Sequence, residues 1–169
     1  VSGARFIVHR DIYDAFVTGI AARADAITLG DPMADTTQIG PVISKASQDR
    51  CKRMIATAKA GGAVQVAGAS DPDLPAPFDQ GFYIRPTVFK DVRPEQELFL
   101  EEVFGPVISI TPFDTEEEAL ALANTGTFGL GVSIWSRDIA RAHRLSLGIR
   151  GGVVWLNDHH RNDPRSVWG

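Results

Sequence analysis

Leu100-Glu101-Glu102-Val103-Phe104-Gly105-Pro106-Val107-Ile108-Ser109-Ile110-Thr111 sets two carboxylates, an aromatic ring and a Gly-Pro turn directly before a near-continuous apolar run. A short apolar run bounded by turn residues reads as a strand covered on both faces. Residues 107–111 are therefore expected to form a buried strand. Working outward, Arg5–His9 is a short β-type run. Asp11 opens a helix whose apolar residues Ile12, Phe16, Ile20 and Ile27 share one broad face, and Gly30-Asp31-Pro32 closes that unit. Ser44 caps a second helix carrying Cys51, Met54, Ile55 and Ala58, and Gly61-Gly62 stops it. Val64–Ala67 is a strand, residues 68–81 a Pro-, Asp- and Gly-rich surface loop, and residues 82–89 an extended stretch that Pro86 makes irregular. Beyond the quoted segment come a helix over 115–124 with acids in its first turn, a strand over 129–135, a helix over 137–147 and a last strand, Val153–Leu156. Apolar strands alternating with helices predict an α/β fold, a largely parallel sheet flanked by helices, in one domain spanning 1–169.

Bulk composition narrows the function. The chain has 169 residues, 44% hydrophobic and 22% charged, enough apolar material for a packed core. A net charge of -4 argues against a dedicated nucleic-acid binder. Cys51 is the one cysteine, so no internal disulfide forms, which suits a reducing, cytoplasmic setting. No apolar run is long enough to span a membrane, and the start carries no signal peptide. The opening Val-Ser-Gly-Ala-Arg, without methionine, reads as a segment boundary.

On residue chemistry alone, the quoted loop has two readings. Loops at strand ends of α/β folds are common ligand sites; the alternative is a solvated acidic turn with Phe104 in the core. Cys51 is flanked by Arg50, Lys52 and Arg53, which lower a thiol pKa, yet its mid-helix place suits an ordinary thiol. His9 and His143 stand alone. Asp158-His159-His160-Arg161-Asn162-Asp163 offers possible ligands, but adjacent histidines on one loop seldom converge on a metal, and none is expected.

The segment from Leu100 to Val107 resembles the Glu-x-Phe-Gly-Pro motif of the aldehyde dehydrogenase superfamily. Further matches keep the family order: 30–41, with Gly30-Asp31-Pro32 and Ile39-Gly40-Pro41; Gly81-Phe82-Tyr83-Ile84-Arg85-Pro86-Thr87-Val88; Asn124 with Phe128-Gly129-Leu130; and Gly151-Gly152 through Asn157. Together they cover essentially the whole chain. The resemblance implies that Glu102 contacts the nicotinamide-ribose hydroxyls of NAD or NADP, that Phe104 packs beside the nicotinamide, and that Asn157 lines the substrate pocket. It leaves Glu101 facing elsewhere. It also implies oxidation of an aldehyde to a carboxylic acid through a cysteine thioester. Ser2-Gly3-Ala4-Arg5 is similar to the segment that follows the family's nucleophile, so that cysteine is expected immediately before Val1. The dinucleotide domain and the general-base glutamate are expected further upstream. Arg165 to Gly169 ends where the family continues into a Gly-x-Lys-x-Ser-Gly segment and an oligomerisation strand. An incomplete catalytic domain of this kind is expected to be inactive alone and to expose apolar surface, within a full-length dimer or tetramer. A CoA-acylating dehydrogenase and a non-catalytic assembly domain are the rival expectations. The family resemblance also sets the 158–163 loop beside the substrate entrance, hinting at a polar or carboxylated aldehyde.

Overall fold

The computed structural model describes residues 3–161 together with 164 and 165. Val1, Ser2, Asn162, Asp163 and residues 166–169 lie outside the described residues, and with them parts of the motifs at either end. The backbone divides into two compact units, Ala4–Pro112 and a second unit that holds Gly3 and the chain from Phe113 onward.

In the first unit, strands β1 (Arg5–His9), β2 (Val64–Ala67), β3 (Thr87–Lys90) and β4 (Val107–Phe113) form one sheet in the order β1-β4-β3-β2. β4 is the strand expected from the apolar run. Val107, Ser109, Ile110 and Thr111 are all buried, as burial of both faces demands. β3 runs parallel to β4, with Thr87 opposite Val107. β2 instead pairs antiparallel with β3. A parallel pair needs a crossover, usually a helix, and the β2–β3 connection contains only the one-turn 3-10 segment Phe78–Gln80. The sheet is thus parallel at β3–β4 with a reversed edge strand.

Helix α1 (Arg10–Asp25) packs on this sheet through Tyr13, Val17 and Ala24, which join Val8, Ala67, Val88 and Ile110 in a buried cluster. Of the expected face, Phe16 and Ile20 pack partly buried against this cluster, while Ile12 is 57% exposed and Tyr13 turns inward instead. Tyr13 explains the shift. Its hydroxyl accepts from the Asp91 backbone N–H (2.8 Å) and lies 3.0 Å from an Asp91 carboxylate oxygen, which rotates position 13 inward. Burial, with Asp91 nearby, pushes the Tyr13 phenol up to about 12. Helix α2 (Lys45–Ala60) begins as expected, with Ser44 Oγ accepting from the Ser47 N–H. It buries Cys51, Met54 and Ala58 and ends at Gly61, followed by Gly62 at φ +87°. A short helix absent from the sequence expectation, α3 (Glu97–Leu100), buries Leu98 and Phe99.

In the second unit, α4 (Glu116–Ala123) is capped by Thr115 and α5 (Ile139–Gly148) by Asp138. α5 connects β5 (Gly131–Ile134) to β6 (Val153–Leu156), and the two strands pair in parallel as a β-α-β unit. Glu116 ties the helices together, accepting from Arg144 (2.7 Å) and Arg141. Arg144 first, then Arg141, holds the Glu116 carboxyl below its ordinary range.

Candidate functional site

Residues 101–106 leave α3 and enter β4 as a loop whose side chains alternate. Val103 points inward at 2% exposure, while Glu102 and Phe104 on either side face solvent. The turn of the backbone at Phe104, rather than a regular strand, carries its ring outward again after Val103. The loop ends are fixed: the Glu101 N–H donates to Glu97 O at 2.8 Å, and Pro106 O accepts from the Thr87 N–H at 2.8 Å. Phe104 has φ +54° and is 75% exposed. A bulky residue in the left-handed region costs about 1–3 kcal/mol and persists only where its surroundings hold it. That exposure removes the alternative in which the ring fills the core. Among the described residues, no hydrogen bond or ion pair engages the Glu102 carboxylate. The carboxylate is an acceptor left open to hydroxyl or amide donors, and the exposed ring offers a flat apolar face.

Sequence reasoning missed what lies beneath this loop. Arg53 of α2 pairs with Glu97 of α3 at 2.9 Å, and this pair holds the Glu97 carboxyl low. The Arg50 guanidinium donates to the backbone carbonyl of Glu102. Cys51, fully buried, sits directly under Gly105, where an added Cβ would collide with its Sγ. Burial first, against a smaller opposing effect of Arg50, pushes the Cys51 thiol up, so it is a packing residue rather than a nucleophile. No sequence signature announces such contacts, which join residues 52 apart in the case of Arg50 and Glu102.

Asn157 lies in the second unit, just after β6, at φ +53°. Its side-chain amide is committed. Oδ1 accepts from the Ser136 N–H (2.8 Å) and Nδ2 donates to the Ser136 carbonyl (2.9 Å), while its own N–H donates to Ile134 O (2.8 Å). Asn157 therefore locks the end of β5 to the end of β6. The loop that follows is ordered around His159. Its Nδ1 is 2.7 Å from Ser133 Oγ, and its ring meets Trp155 and His160 edge-on. Among the described residues, no group of three or more His, Cys, Asp or Glu side chains is placed to hold a metal. Nor is any described helix long and apolar enough to cross a membrane.

The pattern of the aldehyde dehydrogenase family matches residues 1–169. The chain belongs to the aldehyde dehydrogenase family. It is 42% identical over 159 residues to a betaine aldehyde dehydrogenase of Sinorhizobium fredii, covering 94% of this chain and 32% of that protein. It is 38% identical over 168 residues to the Brucella melitensis betaine aldehyde dehydrogenase, covering 99% and 34%. Among solved structures, it is similar to betaine aldehyde dehydrogenase of Staphylococcus aureus in complex with NAD+, with a TM-score of 0.93 and 34% identity over 98% of this chain and 33% of that one. An aldehyde dehydrogenase from Bacillus cereus gives a TM-score of 0.92 at 32% identity, over 98% and 33%. The chain thus spans about a third of the length of the relatives it matches. These likenesses agree with the α/β fold expected from the sequence.

Proposed function

We propose that the protein carrying this chain oxidises an aldehyde to a carboxylic acid with NAD or NADP, through a cysteine thioester, and that residues 1–169 belong to its catalytic domain. The observation that carries this reading is the 101–106 loop, with a strained, displayed Phe104 two residues from an unpaired Glu102. Glu102 accepts from the ribose hydroxyls. Phe104 limits where the nicotinamide sits, a positioning effect. The coenzyme, when bound, supplies the hydride acceptor. Asn157 acts on the substrate side as a brace, since its amide is spent on Ser136.

The comparison with betaine aldehyde dehydrogenases favours a small polar aldehyde. His159, His160 and Arg161 follow Asn157 and add hydrogen-bonding and cationic groups suited to a polar or carboxylated one. A cytoplasmic homo-oligomer, dimer or tetramer, completes the reading. The single buried thiol fits a reducing compartment. The test is formation of reduced nicotinamide from NAD or NADP across a panel of neutral, carboxylated and quaternary-ammonium aldehydes, using the full-length protein. Turnover that requires both aldehyde and coenzyme supports the proposal. Absence of coenzyme reduction with every aldehyde, in a folded sample, refutes it.

A further inference from the structure

We propose that Arg50 and Cys51 of α2 are positioning residues that set the height and tilt of the Glu102–Phe104 loop, and so its grip on the coenzyme. The inference rests on the reading of Glu102 as a coenzyme contact.

Two adjacent α2 residues meet the loop at two points three residues apart. Arg50 pulls on the Glu102 carbonyl, and Cys51 pushes against Gly105. Phe104 lies between those points in a backbone conformation that L-residues avoid. A strained conformation needs surroundings that over-determine it, and a pull on one side with a stop on the other does so. The pull is strong because a guanidinium donates a charge-assisted hydrogen bond. The stop is firm because Cys51 is fully buried, with Met54 one turn on and Val107 at the loop's exit also buried, so the sulfur has nowhere to retreat. Neither side chain needs to touch the coenzyme; both act through the loop.

The test compares Arg50→Ala, Arg50→Lys, Cys51→Ala and Glu102→Ala in the full-length enzyme, with Lys52→Ala as the control for lost α2 charge. Arg50→Ala is expected to raise the coenzyme KM about tenfold, the lower end of what a hydrogen bond to a charged group is worth. The aldehyde KM and kcat should stay within about twofold, since the lost interaction concerns coenzyme binding. Arg50→Lys recovers part of the loss, having a donor but no fork. Cys51→Ala, which removes the stop, shifts the coenzyme KM in the same direction. Lys52→Ala shifts nothing. The Arg50→Ala effect shrinks in a Glu102→Ala background to the part carried through Phe104, because the backbone carbonyl of residue 102 remains; a merely structural role would leave the effect equal in both backgrounds. If Glu102→Ala raises the coenzyme KM and Arg50→Ala does not, this inference falls while the coenzyme reading stands. If Glu102→Ala leaves the coenzyme KM unchanged, the reading falls and takes the inference with it.

Discussion

Gly105→Ala tests the packing under the loop. A Cβ at position 105 would overlap Cys51 Sγ, and Cys51, at 0% exposure, is enclosed. Overpacking a closed core costs about 1–3 kcal/mol. Gly105 lies outside the left-handed region, so alanine adds no backbone strain there. It should return about 0.4–1 kcal/mol by reducing the freedom of the unfolded chain. The expected net loss is about 0.5–2 kcal/mol. Cys51→Ala alone leaves a void the size of a methyl group, at about 1 kcal/mol. In the Cys51→Ala background the collision is gone, so Gly105→Ala should become neutral or stabilising. The sign change amounts to a coupling of about 1–3 kcal/mol between the two sites, within the range for residues in contact. Equilibrium urea unfolding of the four proteins, followed by tryptophan fluorescence, measures it. Equal cost of Gly105→Ala in both backgrounds would mean that the loop does not rest on Cys51.

Tyr13→Phe strands the Asp91 N–H and should cost about 1–3 kcal/mol in the same unfolding experiment. Because the folded phenol is raised to about 12, above the ordinary tyrosine value near 10, its contribution is complete below about pH 10 and is lost as the pH rises toward 12. Tyr13→Phe should flatten that part of the stability profile. Asn157→Ala loses both Ser136 bonds and places alanine in the left-handed region, for about 1–3 kcal/mol. Asn157→Gly keeps the backbone at ease and should lose less, a difference visible in thermal midpoints. Glu116→Gln weakens the tie between α4 and α5. Since Arg144 and Arg141 depress the Glu116 carboxyl, its contribution exists above the ordinary glutamate range and fades as pH falls through the lowered value. The variant should therefore be less stable at neutral pH and converge with the parent in acid, as acid titration of the fluorescence signal would report.

Much of the fold was legible because burial leaves a strong trace in some elements. β4 is covered on both faces, so its sequence is apolar almost throughout. The cap Ser44 is a short polar residue ahead of a helical run, a local signal, whereas Thr115 and Asp138, expected inside their helices, prove to be caps. Other features left weaker traces. The buried stripe of α1 runs through Tyr13 and Ala24, one amphipathic and one small, while the louder Ile12 faces solvent. The reversal of β2 depends on what its connection lacks, a crossover helix, rather than on the strand's own residues. At α3 the helix is a single turn, too short for a period to show. At the loop, the Glu-x-Phe-Gly-Pro resemblance singled out Glu102 and Phe104, and both side chains are exposed, with Val103 buried between them. The support from Arg50, 52 residues away, left no trace in the sequence.

Glu101 and Glu102 are adjacent, exposed carboxylates, and the account gives the coenzyme to only one of them. Coenzyme affinity of the full-length protein, titrated by fluorescence for Glu101→Ala and Glu102→Ala beside the parent, separates them most directly. The account predicts weakened coenzyme binding for Glu102→Ala, unchanged binding for Glu101→Ala, and unchanged thermal midpoints for both. Equal affinities in all three proteins, or a loss confined to Glu101→Ala, would contradict it.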